Sequence, residues 1–112
     1  MLNMSDILRG FTDTLILAQL AEGDSYGYEI NKRVLALSGG ALELKEATLY
    51  TSFRRLEAEG HIVSYWGDET TGARRRYYAI SQSGRTLYEE NLADWRRAKG
   101  IIDNLIKEKE RE

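Results

Sequence analysis

Two groups of arginines dominate the surface chemistry this chain can perform. Arg54 and Arg55 stand in the stretch 47-ATLYTSFRRLEAEGHIVSYW-66, and Arg74, Arg75 and Arg76 form the one dense cationic cluster. A guanidinium stays charged and offers five N–H donors in a planar fork. Its natural partners are carboxylates, phosphates and the O6/N7 edge of guanine. The first group has an unusual setting. Helical spacing puts Ala47, Thr51, Arg54 and Ala58 on one side and the bulky Leu49, Phe53 and Leu56 on the other. A solvated helix has no need of small exposed residues. A helix that must approach base edges closely does, and a thymine methyl is met well by Ala or by a Thr methyl.

Other chemistries find few residues to work with. The chain has no cysteine and one histidine, His61, which follows the helix-ending Gly60. Thiolate chemistry, disulfides and cysteine-ligated zinc are therefore excluded, and no Ser–His–Asp order or paired-carboxylate motif is suggested. The pair Gly39-Gly40 precedes no phosphate-loop lysine and lacks the GxGxxG spacing. The expectation is a protein that is not an enzyme, with no cofactor and no metal.

Composition fits one soluble domain. The 112 residues are 42% hydrophobic and 30% charged, enough for a single modest core. The longest apolar run, 14-TLILAQLA-21, falls well short of the roughly 18 residues a membrane helix needs. The N-terminus shows no signal-peptide pattern, so a cytoplasmic protein without a membrane partner is expected. A net charge of −2 disfavours general binding to polyanions. Its distribution leaves room for a local patch, because residues 25–80 carry eight positive and seven negative charges.

Helices and a hairpin must position these arginines. Residues 6–22 read as a first helix, capped by Asp6, with Ile7, Phe11, Leu15 and Ala18 as its apolar stripe and Gly23 beyond its end. Ser25 caps a second helix whose stripe is Ile30, Val34 and Leu37, stopped by Gly39-Gly40. The third runs from about Lys45 to Glu59 and ends at Gly60, with Thr48, Tyr50 and Arg55 flanking its small-residue stripe. Glu57 stands where it can restrain the arginines.

From Ile62 the period changes to two. The runs 62-IVSYW-66 and 75-RRYYAI-80, separated by the polar loop 67-GDETTGA-73, read as a hairpin with Trp66 packed at its base. Ser81 then caps a long helix in which Tyr88, Asn91, Trp95, Ala98, Ile102 and Leu105 alternate by three and four. About 28 residues at 1.5 Å each give roughly 42 Å of helix, too long for so small a domain to cover. Either this helix folds back on its own domain or its stripe pairs with a second copy, as exposed apolar patches usually do. Three helices, a hairpin and a long helix make a mainly α, winged helix-turn-helix plan followed by a C-terminal dimerisation helix. Residues 1–80 form the winged-helix domain and 81–112 the dimerisation helix. In such a fold the third helix enters the major groove and the wing meets backbone or minor groove.

The candidate DNA-binding residues are Lys45, Thr48, Tyr50, Thr51, Arg54, Arg55, Arg74 and Arg75. Arg54 suits a guanine or a phosphate, while Lys45, Thr48 and Tyr50 suit phosphates that set the register. A different class of function stays open: a helical dimerisation or adaptor module that binds protein and uses its arginines for solubility.

The motifs 26-YGYEI-30, 47-ATLYTSFRRLEAEGHI-62, 65-YW-66 and 74-RRRYYAIS-81, in this order, resemble the signature of PadR-type transcriptional regulators over nearly the whole chain. The single short C-terminal helix resembles the compact branch of that family. The resemblance implies a homodimeric repressor that binds a palindromic double-stranded DNA operator, with C-terminal helices paired across the dimer. It also implies, from drug-sensing members, a small planar aromatic ligand held between two copies of one tryptophan, here Trp95. Ile7, Asp13, Thr14, Leu92, Trp95 and Lys99 are the candidate ligand-binding residues. Where drug sensors carry an acid one turn beyond the tryptophan, this chain has Lys99, so Asp13 or Asp94 is the candidate counter-charge. The alternative for Trp95 is a plain packing role in the dimer seam.

Overall fold

The computed structural model describes residues 3–67 and 74–107. The chain opens with α1 (Met4–Leu8), a 3₁₀ turn (Arg9–Phe11) and α2 (Thr12–Leu20). The single helix expected over 6–22 is thus broken. Gly10, a poor helix former, sits in the tight turn, and Asn3 rather than Asp6 caps the start by accepting from the Ser5 N–H at 2.8 Å. Asp6 instead pairs with Arg9. The deepest side chains of α2 are also not the expected stripe. Ile16, Leu17 and Leu20 enter the core, whereas Ile7 is exposed and Phe11, Leu15 and Ala18 are half-buried. This short helix is apolar around most of its circumference, so periodicity alone could not pick its core face.

Next come α3 (Gly27–Leu37) and α4 (Glu46–Ala58). Ser25 does not cap α3. It is fully buried, exchanges two backbone hydrogen bonds with Tyr78 (3.1 and 2.7 Å), and gives its hydroxyl to Glu29. Leu37, expected in the core, is 76% exposed. Leu42 and Leu44 take the place it was assigned, and the Asn31 amide clamps that segment by bonding both the N–H (2.9 Å) and the carbonyl (2.7 Å) of Leu44.

Helix α4 matches its expectation. Leu49, Phe53 and Leu56 are buried, and Gly60 at φ +79° supplies the left-handed residue that ends it. The Gly60 and His61 N–H groups bond back to the Glu57 and Leu56 carbonyls (3.0 and 2.9 Å), closing a Schellman motif.

Strands β1 (Ile62–Trp66) and β2 (Arg76–Ile80) pair antiparallel, from Ile62 opposite Ile80 to Trp66 opposite Arg76. Tyr78 stacks on Phe53 with ring centroids 4.0 Å apart, which locks the hairpin onto α4. Residues 68–73, most of the expected wing loop, lie outside the described residues. Helix α5 (Gln82–Ile106) starts at Ser81, whose hydroxyl accepts from the Gly84 N–H at 3.1 Å as a side-chain cap. It packs on the rest of the chain through Gly84, Leu87 and Tyr88 and, further on, Asn91 and Trp95, and the part beyond Trp95 is exposed at Ile101, Ile102, Leu105 and Ile106. The radius of gyration is 16.6 Å and the longest dimension 66 Å. A compact chain of this length would have a radius near 13 Å.

Candidate nucleic-acid interface

The exposed side of α4 carries the expected residues. Ala47, Thr51, Arg54 and Ala58 all face solvent, with Lys45, Thr48 and Tyr50 beside them. Thr51 gives its hydroxyl to the Ala47 carbonyl at 2.7 Å, and its oxygen accepts from Arg54 at 3.3 Å. Among the described residues Arg54 meets no carboxylate, so its guanidinium remains available to a ligand. Tyr50 is partly anchored, edge-on to Phe53 at 5.5 Å and close against Gly27.

Arg55 points a different way. It forks onto Asp13 of α2, Nε to Oδ2 at 3.0 Å and Nη2 to Oδ1 at 2.6 Å. The Asp13 hydrogen bond and its charge raise the Arg55 pKa above its ordinary value. One candidate DNA contact and one candidate ligand contact are therefore each other's partner. Glu57 does restrain an arginine, but the one it holds is Arg76, at 3.4 Å, with Ser64 bonded to both (2.8 Å from Arg76). This small network joins α4 to the wing base.

At the wing, Arg74 and Arg75 are exposed. The Arg74 and Arg76 guanidiniums lie 5.4 and 5.9 Å from the Trp66 ring centre, and Arg75 lies 4.8 Å from that of Tyr26. Trp66 is consequently not core: it is 53% exposed and serves as a cation–π shelf for the arginines. Tyr65 stacks with Tyr77 instead, at 5.7 Å. The register made this legible, since Trp66 stands opposite Arg76, but only once the loop length was known.

Residues proposed around a ligand gather only in part. Trp95 is partly exposed, and Phe11, from the expected apolar stripe of the first helix, meets it edge-on at 5.3 Å. Thr14 accepts from the Asn91 amide at 3.0 Å, close to the half-buried Leu92. Ile7 is exposed at the start of the chain. Lys99 pairs with Asp103 at 3.0 Å and Asp94 with Arg97 at 3.3 Å, so each candidate charge on α5 already has a partner on its own helix.

The profile of the transcriptional regulator PadR-like family matches residues 16–90. The chain belongs to that family. A solved transcriptional regulator from Clostridium thermocellum is 43% identical, covers 95% of this chain and 100% of its own, and superposes with a TM-score of 0.86. A PadR family regulator from Clostridium difficile is 34% identical over 85% of this chain and 97% of its own, with a TM-score of 0.75. An uncharacterised protein of Lysinibacillus sphaericus is 41% identical over 99 residues, 88% of this chain and 91% of that protein. Members of the family are transcription regulators and not enzymes, and the winged helix-turn-helix described above is the architecture of a DNA-binding regulator. No helix among the described residues is long and apolar enough to cross a membrane.

Proposed function

We propose that this PadR-like chain is a homodimeric repressor of the family's compact branch. In this reading residues 1–80 read a palindromic operator and residues 81–112 pair the two copies. The outer face of α4, where Arg54 has no acidic partner among the described residues and Ala47, Thr51 and Ala58 are small, supports the proposal most directly. That helix enters the major groove with Arg54 and Thr51 toward base edges and Lys45, Thr48 and Tyr50 toward phosphates. Arg74 and Arg75, spread over aromatic rings at the wing base, take flanking phosphates.

Arg54→Ala should weaken binding to a selected operator by about 1–3 kcal/mol, the range for a lost bidentate base contact. Arg74→Ala and Arg75→Ala should weaken binding to all duplexes and flatten the dependence of log K on log salt. Electrophoretic or anisotropy titrations at several salt concentrations read both effects. If the Arg54/Arg74/Arg75 triple alanine variant binds DNA like the wild type, the adaptor reading replaces this one.

The proposal extends to a ligand site of the kind found in the family's drug sensors. Trp95 keeps much of its ring accessible with Phe11 standing against it. Two such rings across a dimer axis make a slot for one planar aromatic molecule per dimer. In a Trp66→Phe background, quenching by planar dyes reports Trp95 alone. Cationic dyes should bind best if Asp13 or Asp94 supplies the counter-charge, and neutral or anionic ones if Lys99 dominates. No quenching by any of them, with the dimer intact, would return Trp95 to plain packing.

A further inference from the structure

Residues 11–14, at the start of α2, touch two helices that serve different parts of the proposed function. Phe11 stands edge-on to Trp95 of α5 at 5.3 Å, and Thr14 bonds Asn91 of α5 at 3.0 Å. Asp13, between them in sequence, forks onto Arg55 of α4 at 2.6 and 3.0 Å. At 100° per residue, positions 11 and 14 lie about 60° apart, and position 13 projects well away from both. This one turn is therefore wedged between the long helix and the DNA-reading helix.

The pair differs from others on the surface. Asp6–Arg9, Asp94–Arg97 and Lys99–Asp103 each join residues three or four apart within well-exposed side chains, the kind of pair that contributes little. Asp13–Arg55 spans 42 positions, its carboxylate side chain is only 26% exposed, and two N–H groups meet two oxygens in the fixed fork geometry. The same Arg55 nitrogen also reaches the buried Ser52 hydroxyl at 3.3 Å. The side-on fork uses Nε and Nη2, which leaves the Nη1 edge for another acceptor. Arg55 lines a shallow groove with Thr48 and Thr51, beside the face read as DNA-facing.

We infer that Asp13 is a positioning residue for DNA binding, holding Arg55 on the reading helix and tying its place to α5 through Phe11 and Thr14. The inference rests on the reading of the chain as an operator-binding regulator. A phosphate bonded to the free edge of Arg55 competes with Asp13 for the same charge. Any displacement of that pair moves a turn whose next residues touch Trp95 and Asn91. The coupling runs both ways, because a free-energy link between two sites is reciprocal.

Trp95 emission tests this directly, with the Trp66→Phe protein as reference throughout. The probe is a duplex selected from a random library by that same protein. Binding should shift Trp95 emission in the reference protein. Adding Asp13→Asn should abolish the shift while binding persists, and the freed Arg55 should steepen the log K against log salt slope by about 0.9, one phosphate contact. Asp13→Glu should restore the shift. Glu22→Gln, which removes the same charge from an exposed pair with Arg33, should leave shift and slope unchanged. Arg55→Gln cuts the pair from the other side and should lose the shift too, so misfolding of one variant does not decide the matter. A reference protein that binds the duplex without an emission shift overturns the coupling and leaves the regulator reading standing. An Asp13→Asn protein with reference shift and slope overturns it as well. A reference protein that selects no duplex removes the regulator reading and this inference together.

Discussion

Helices α4 and α5 are both amphipathic, and they leave opposite faces uncovered. In α4 the apolar face is sealed, with Leu49, Phe53 and Leu56 almost inaccessible, and the side left to solvent is polar and small. In α5 the stripe is covered only in its first half, where Gly84, Leu87 and Tyr88 meet the core and Asn91 and Trp95 meet Thr14 and Phe11. Beyond Trp95 the same stripe emerges into solvent, ending with Leu105 at 76% and Ile106 at 74% exposure. A free polar face with an unpaired arginine suits a charged, hydrated ligand such as DNA. A free apolar face costs free energy in water until something apolar covers it. In the proposed function the first is the reading surface and the second the assembly surface.

The sharpest way to break that contrast is to charge the uncovered stripe. In an isolated protomer Ile102→Asp and Leu105→Asp change exposed positions and should each alter stability by no more than about 0.5 kcal/mol. In a dimer that buries them, each side chain forfeits about 1.5–3 kcal/mol, on both copies. The expected result is a fall from dimer to monomer mass in light scattering with the winged domain still folded by circular dichroism. A wild-type protein that is already monomeric at micromolar concentration would show that this face is not an assembly surface.

A somewhat smaller effect is expected where α5 is covered. A Cβ at Gly84 would lie 2.0 Å from the His61 carbonyl oxygen and 2.8 Å from Ile80 Cγ1. The carbonyl is backbone at the end of α4 and cannot swing aside, so the first turn of α5 must shift. Gly84→Ala should destabilise the fold by about 3 kcal/mol, the upper part of the range for overpacking, as read by urea unfolding. A variant as stable as the wild type would mean that α5 does not dock so closely.

The parts of this arrangement that were readable from sequence are those set by local rules. Leu49, Phe53 and Leu56 at helical spacing before Gly60 marked both the extent and the buried face of α4, and Ser81 marked the start of α5. The hairpin followed from a change of period. What escaped depends on tertiary competition. A single glycine costs a helix only about 1 kcal/mol, so nothing local announced that the chain would turn at Arg9–Phe11. Leu37 and Leu42 are equally apolar, and it is the Asn31 clamp on Leu44, with the Ser38 hydroxyl accepting from the Leu42 N–H at 3.0 Å, that holds the second in the core. Trp66 looked like core because tryptophan usually is, until pairing set it opposite Arg76. The Asp13–Arg55 pair joins residues 42 apart and leaves no periodic trace. Asp13 stood among the candidate ligand contacts and Arg55 among the candidate DNA contacts, and their mutual contact adds a polar tie between α2 and α4 to the apolar packing of the core.

The smallest expected effect uses the second glycine of α5 to test whether the outer half of that helix is limited by its own backbone. Gly100 has no atom within 4 Å of the position a Cβ would take. Counting from Trp95 and Ala98 as seam positions, Gly100 falls on the side facing away from the stripe. A methyl group there meets neither the protomer nor, in the proposed pairing, a second copy. What remains is the backbone term: Gly in a helix interior is less favourable than Ala by about 0.8–1 kcal/mol. Gly100→Ala should therefore stabilise the protein slightly, the opposite sign to Gly84→Ala in the same helix. If the outer half is helical only when paired, the gain appears as tighter association; if it is helical alone, it appears as higher helicity in the monomeric Ile102→Asp/Leu105→Asp background. A loss of stability or association would place Gly100 inside a contact and require a pairing geometry rotated from the Tyr88–Leu105 seam.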